Sequence, residues 1–224
     1  GGEVSVDFVP REGIAVVHGM AERQRRIMDV SSDWYEIDHG YIGRGEYHRV
    51  THRALYSASA EPNYERLHRI GGEIVKTRKL SGDVLLACQS NAAYDVDGLT
   101  LDRWLAHAAH QVRRYSKRFP LIRYKPIGEH RYQPALHRIL PLMWIVVSHT
   151  SSAALQALAA AVPVIVTNKN FPAALLATAF EQIETPRLPS VEERRELFAR
   201  LAAQQWTIEE MASGLAWREL HGHR

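Results

Sequence analysis

The amino-acid sequence predicts an α/β protein built on a parallel sheet. Three observations carry the prediction. Short β-branched runs end in polar or glycine-containing turns, stretches of helical period follow them, and the alternation repeats at strand–helix–strand spacing. Gly13-Ile14-Ala15-Val16-Val17-His18-Gly19 reads as a strand stopped by a glycine turn, with a helix from Ala21 to Met28 after it. Asp33 to Tyr41 reads as a second strand with the polar tip Asp38-His39-Gly40, and a third is expected near Tyr47 to Thr51. Asp83 to Cys88 is an apolar run suited to a strand buried on both faces. Thr100 can cap a helix over Leu101 to Phe119, with Leu101, Trp104, Leu105, Ala108, Val112, Tyr115 and Phe119 on one face and Pro120 ending it. The unit then recurs: strand Leu121 to Tyr124, a short helix near Pro134 to Leu140, strand Trp144 to Ser148, helix Ser151 to Ala161 and strand Val164 to Thr167. Residues 82–168 thus form half of a doubly wound sandwich, with right-handed crossovers between parallel strands. The last part is helical: Val191 to Gln204 is amphipathic, and Thr207-Ile208-Glu209-Glu210 opens a final helix to about Trp217 with a capping box. Its plain role is to pack across the back of the sheet.

Composition narrows the function classes. A chain of 224 residues that is 46% apolar and 24% charged can bury a core, so disorder and a fibrous repeat are excluded. The longest apolar stretch, near Ala153 to Val166, is interrupted by Gln156 and Pro163, so no membrane-spanning helix is expected. Gly1-Gly2-Glu3 does not lead into a basic and then an apolar stretch, so no secretory signal is expected. The single cysteine, Cys88, allows no internal disulfide; it sits in an apolar strand as a core thiol and fits a reducing, cytoplasmic setting. The formal charge of +3 is unevenly spread. Residues 40–80 carry eight Lys/Arg against four Asp/Glu, residues 101–138 nine against two, and residues 181–210 seven acids against four bases. A basic middle favours a phosphate-bearing or polyanionic partner, against the plainer reading of a solvated basic surface.

The polar residues that follow the strands gather at Gln89-Ser90-Asn91, Lys125-Pro126, residues 148–152 and Thr167-Asn168. These are the carboxyl ends of the strands, where open parallel sheets bind ligands. Ser148-His149-Thr150-Ser151-Ser152 is a hydroxyl-rich turn at a helix start. Exposed amides, the positive end of the helix dipole and several hydroxyls suit a phosphate. The alternative is that Thr150 or Ser151 simply caps the helix. The preceding strand ends in Arg123 and Lys125, two cations that would project over the same edge and help neutralise a diphosphate.

With Leu121-Ile122-Arg123-Tyr124-Lys125-Pro126, Val146 to Ser152 and Ala161-Val162-Pro163-Val164, residues 80–170 resemble the donor-binding half of glycosyltransferases with the GT-B fold. Gln156 stands where that family usually has an acidic residue for the ribose, and a glutamine can still hydrogen-bond a ribose hydroxyl. Ala161 stands where it has a glycine. Trp34 to Thr51 and Gln205 to Glu210 look like stretches of small phage-encoded glycosyltransferase-like proteins associated with DNA modification. The resemblance implies an α/β, compact GT-B-like fold of two Rossmann-like lobes. The expected division is a reduced acceptor-side lobe at 1–78, a donor lobe at 79–180 and bridging helices at 181–224.

It also implies a nucleotide-sugar donor, most simply a UDP-sugar, held in the cleft by Arg123, Lys125, Ser148, Thr150, Ser151, Ser152 and Gln156, with His18 and Gly19 as a turn near the phosphates. The implied activity is transfer of a hexosyl or pentosyl unit to a hydroxyl on a modified DNA base, in the host cytoplasm if the chain is phage-encoded. Asp38 is the first candidate for the base that deprotonates the acceptor and His39 the second, with His18 behind them. The alternative for Asp38 is a turn residue bonding its own backbone. Arg44, Arg49 and Arg53 with Tyr41 and Tyr47 mix charge and aromatic rings as nucleic-acid surfaces do, so duplex DNA is the expected acceptor. A surface polysaccharide or lipid-linked sugar is the alternative acceptor, and a non-catalytic nucleotide- or nucleic-acid-binding protein the alternative class. No metal is required, although a divalent ion is compatible. His107 and His110 lack the carboxylates or spacing of a metal motif, and hydrolase-elbow, P-loop and classical dinucleotide fingerprints are absent from the sequence.

Overall fold

The computed structural model describes residues 11–126, 128–130 and 132–221. Residues 1–10, on which the expectation of no leader rests, lie outside the described residues. The chain forms two compact units, one of residues 1–56 with 204–224 and the other of residues 57–203. The sequence reading placed its divisions near 78 and 180. The second unit begins earlier because Asn63 N–H bonds Ala199 O and the Arg200 guanidinium bonds Ala60 O, tying the segment before the parallel sheet to the helix after it.

In the first unit, β1 (Arg11–His18), α1 (Glu22–Val30), β2 (Ser31–His39) and β3 (His48–His52) follow in order. β1 and β2 are parallel, whereas β2 and β3 form an antiparallel pair in which Asp38 faces Arg49 and His39 faces His48. Alternation along β2 divides the sheet. Tyr35 and Ile37 belong to the hydrophobic core, and Glu36 and Asp38 point to the opposite face.

The second unit opens with α2 (Tyr64–Arg69), then β4 (Asp83–Ala87), α3 (Asn91–Asp95), α4 (Leu101–Tyr115), β5 (Pro120–Arg123), α5 (Leu136–Ile139), β6 (Met143–Ser148), α6 (Ser152–Ala159), β7 (Val164–Val166) and α7 (Val191–Ala202). Its sheet is wholly parallel in the order β5-β4-β6-β7. The chain moves outward from β4 to β5, then back past β4 to β6 and β7. Right-handed crossovers therefore put α4 on one face and α5 and α6 on the other. Trp104, Ala108 and Val112 of α4 pack with Val84, Leu86, Ile145, Val147 and Ile165, all nearly or wholly buried. Each buried Val, Leu or Ile among them contributes roughly 1.5–3 kcal/mol.

The chain then returns to the first unit as β8 (Gln205–Trp206), α8 (Ile208–Ala212) and α9 (Leu215–His221). β8 pairs with β3, so the mixed sheet runs β1-β2-β3-β8. Trp206 and Ala216 join Tyr35 and Val50 in its core. The expected C-terminal capping box is present between Thr207 and Glu210, but the single helix to Trp217 is two helices, parted at Gly214, whose φ of 76° is left-handed.

Two further boundaries differ from expectation. α4 stops at Tyr115, four residues early, because Ser116 leaves helical backbone at φ −146°, and Phe119 N–H turns to Asp83 Oδ1 (2.9 Å). Pro120 begins β5, an edge strand, where its missing N–H is tolerated. Ala161 holds a left-handed backbone, at φ 57°, a conformation that glycine adopts without strain. It follows α6 in a turn closed by Val162 N–H to Ala157 O (2.8 Å).

Gly82 sets the entry to β4. Its φ is +83°, and a Cβ there would sit 1.9 Å from the Leu142 carbonyl oxygen. Gly82→Ala is expected to lower stability by more than about 2 kcal/mol, read as a fall in Tm, because a backbone atom cannot move aside as a flexible side chain can.

Candidate functional site

The polar edge of the parallel sheet is built at the point where the strand order reverses, between β4 and β6. Gln89, just after β4, reaches across to Thr150, just after β6. Its Oε1 accepts from Thr150 N–H (3.1 Å), and its Nε2 donates to Thr150 Oγ1 (2.7 Å). Beside this clamp lies a network the sequence reading did not assemble. His149, 3% exposed, shares a 2.7 Å hydrogen bond between its Nε2 and Asp97 Oδ2, and a 2.8 Å one between its Nδ1 and Thr167 Oγ1. Trp104 Nε1–H donates to the same Thr167 oxygen, and Asn168 Nδ2 donates to Asp97. Asp97, as a carboxylate, is the acceptor of the Nε2 bond. Tyr94 stacks on the imidazole with ring centroids 5.6 Å apart. The ends of β6 and β7 and the loop before α4 are thereby fixed together, and with them the turn into α6.

That turn offers fewer free groups than expected. Ser148 is wholly buried, and its Oγ has no hydrogen-bond partner among the described residues. Thr150 is nearly buried and held by Gln89. Ser151 caps α6 through its Oγ, which accepts from Ala153 N–H at 3.2 Å, as the plainer reading held. What the turn leaves for a ligand is the start of α6 at the half-buried Ser151 and Ser152, with the exposed Gln156 one turn further on.

The strand register decides where the cations lie. Arg123 pairs with Ala87, and Ala87 with Ser148, so the three form one row across β5, β4 and β6 and share a face. At about 4.8 Å per strand, Arg123 and Ser148 stand about 10 Å apart, with only the small Ala87 between them. Arg123 is half-buried, and its Nε lacks a hydrogen-bond partner among the described residues. Its Nη2 reaches Pro134 O at 3.3 Å. Lys125, just beyond the strand, is half-buried.

The tip of the first unit's sheet holds a second polar group. Arg49, 3% exposed, sits between two carboxylates: Nη1 lies 2.7 Å from Glu36 Oε2, Nη2 lies 2.9 Å from Asp38 Oδ2, and Nη1 also donates to Leu55 O (2.6 Å). Its guanidinium also lies 5.3 Å from the Tyr41 ring centre and 5.8 Å from that of Tyr56. Glu36 is wholly buried, and Asp38 is the carboxylate that reaches solvent, with 26% of its side chain exposed. The other Asp38 oxygen accepts from His39 N–H (2.7 Å), the local turn bond foreseen for it.

Arg49 and Tyr47 are therefore buried, where the sequence reading set them on an exposed DNA-facing surface. Tyr41 is half-buried, with its N–H bonded to the Gln205 carboxamide, while Arg44 and Arg53 are exposed. Packing accounts for the burial of Arg49, since a cation between two carboxylates can leave water where a lone one cannot. The tail Gln205-Trp206-Thr207 has the same explanation. Gln205 and Trp206 are buried, Gln205 holding the 40–42 turn and Trp206 filling the core. Asp38 and His39, adjacent in sequence, fall on opposite faces of the sheet by alternation. The His39 ring lies near those of His18 and His48, at 6.2 and 5.9 Å between centroids.

Burial, reinforced by the negative charge of Asp38, pushes the Glu36 carboxyl up to about 7 against the pull of Arg49. A carboxyl raised on folding binds more protons in the native state, so its contribution to stability is present at low pH and is lost as pH rises to about 7. Glu36→Gln is expected to remove this slope: urea melts of the parent lose on the order of 2–3 kcal/mol from this group between pH 4.5 and 7, and the variant does not. Elsewhere, burial pushes the Cys88 thiol up to about 12, in keeping with a core thiol. Among the described residues no group of three His, Cys, Asp or Glu side chains is placed to hold a metal ion, and no helix is long and apolar enough to cross a membrane.

One mixed and one all-parallel sheet, each with helices, make a Rossmann-like α/β architecture of two units, the fold class expected from the sequence. The chain is similar in fold to the solved structure of Thermosulfurimonas dismutans KpsC, beta Kdo 2,7 transferase. The TM-score is 0.54 at 14% identity, covering 92% of this chain and 85% of that one. No protein-family model matches the sequence, and the search of curated proteins returns no relative.

Proposed function

We propose that the chain is a glycosyltransferase that moves a sugar from a nucleotide-sugar donor to a hydroxyl of a surface-polysaccharide acceptor. One observation carries the donor half: Arg123 Nε and Ser148 Oγ are enclosed polar atoms without partners among the described residues, in one register row on one face of the parallel sheet, where the chain turns into the start of α6. A donor phosphate at this carboxyl edge, beside the half-buried Arg123 and the start of α6, gains the Arg123 charge and the amides of Ser151 and Ser152, with Lys125 as a second cation. Gln156 is left for the ribose. In the reaction the acceptor oxygen bonds to the sugar C1, the bond from C1 to the nucleotide phosphate breaks, and a general base takes the acceptor proton; the residue proposed for that role is Asp38, the carboxylate of its cluster that reaches solvent. Fixed cations and helix amides stabilise the negative charge of the departing nucleotide.

The likeness to a Kdo transferase favours a glycan acceptor. The DNA-base acceptor loses support because Arg49 and Tyr47, two of its five expected contacts, are buried. The test is to incubate the full chain with UDP-, CMP-, GDP- and ADP-linked sugars and glycan acceptors, and to follow free nucleotide. Acceptor-dependent release with one donor supports the reading. Binding of a donor with no release under any acceptor points to a nucleotide-binding protein, and release that depends on duplex DNA restores the DNA reading.

A further inference from the structure

The carboxyl end of β1 and β2 gathers three imidazoles that the reaction above does not use. His18, His39 and His48 come from three neighbouring strands, with ring centroids 5.9–6.5 Å apart. His39 and His48 are register partners, and His18 pairs with Ile37, two residues before His39, so all three share a face. His18 and His39 are exposed and His48 is half-buried. None of the three rings has a hydrogen-bond or ion-pair partner among the described residues, in contrast to His149, His52 and His221, whose rings are all engaged. The Nδ1 of His48 is enclosed with no acceptor.

The charges acting on His39 come from every neighbouring element: His18 on β1, Asp38 on its own strand, Arg44 in the following loop and His48 on β3. Asp38 is already bound to Arg49 on the other face, so these rings and the exposed Arg44 lack a carboxylate of their own. Donors gathered without an internal acceptor make a site that is completed by an external one.

We propose that His18, His39 and His48, with Arg44, bind a carboxylate or phosphate group of the acceptor. The assignment to the acceptor rests on the glycosyltransferase reading, and the anion site itself does not. Burial and the positive neighbours Arg44, His48 and His18 hold His39 below the ordinary histidine range. A bound anion offsets that repulsion and favours the protonated form of His39, so binding tightens as pH falls.

The test follows the imidazole Cε1–H NMR signals of the full chain while inorganic phosphate, and separately glucuronate, is added at pH 6 and pH 8. The site predicts saturable shifts of His18, His39 and His48 together, affinity about tenfold higher at pH 6, and a His39 titration midpoint that rises with ligand. The stronger of the two anions identifies the acid group. His39→Gln and His48→Gln each weaken binding about tenfold while the far-UV spectrum stays unchanged. Absence of a saturable shift with either anion, or equal binding by both variants, overturns the proposal. Donor-dependent nucleotide release is scored in parallel. Release without anion binding sinks this site alone, and anion binding without release sinks the glycosyltransferase reading while the site stands.

Discussion

Asp38→Asn is expected to slow sugar transfer by about 10²- to 10⁴-fold while leaving the fold and the donor site intact, because it removes the proton acceptor and little else. The amide oxygen can still accept from Arg49, and Arg49 keeps its closer partner in Glu36, so the buried cation is not stranded. Thermal melts of the variant should stay within a few degrees of the parent, and the shift produced by the best sugar nucleotide should be unchanged. Loss of transfer with retained donor binding assigns Asp38 to the chemical step. Undiminished transfer removes Asp38 as the base, and His39, on the opposite face of the strand, becomes the candidate to replace next.

The second large effect concerns stability. Arg194 in α7 is wholly buried, and its guanidinium donates to five backbone carbonyls: Pro189, Ser190, Val75, Leu158 and Lys76, at 2.8–3.2 Å. One side chain thus closes the end of α6, the start of α7 and the 75–76 segment. Arg194→Ala strands several carbonyls and leaves a cavity, and is expected to cost about 3–5 kcal/mol, read as a large fall in the urea midpoint. Arg194→Lys keeps the charge but offers three donors in place of the planar fork, and is expected to recover only part of the loss. Equal stability of the parent and Arg194→Ala would show that the carbonyls find other partners.

The strands and major helices were legible because hydrophobic period reports them directly. β4, β6 and β7 are apolar runs, and Thr100 and Thr207 announce helix starts that the structure contains. Boundaries set by long-range contacts were not legible. Phe119 continues the helical face of α4 in sequence, yet it is 65% exposed because Asp83 draws its amide into the approach to β5. The donor edge was half legible. The hydroxyl turn and the cations stand out, but that Gln89 occupies Thr150 and that Asp97 holds His149 depends on residues 61 and 52 positions apart. At the first unit's tip, Arg49 reads as a surface cation because nothing local shows that Glu36 and Asp38, alternate residues of β2, both face it across the β2–β3 register.

The central claim is that the carboxyl edge of the parallel sheet holds the donor. Hydrogen exchange read by mass spectrometry, with and without the sugar nucleotide that most raises Tm, tests it most directly. The prediction is protection confined to residues 89–91, 123–126 and 148–156. Protection instead at residues 68–76 and 191–195, around the separate hollow of about 360 Å³ lined by His68, Lys76 and Arg195, would contradict it, as would no protection with any of the four donors.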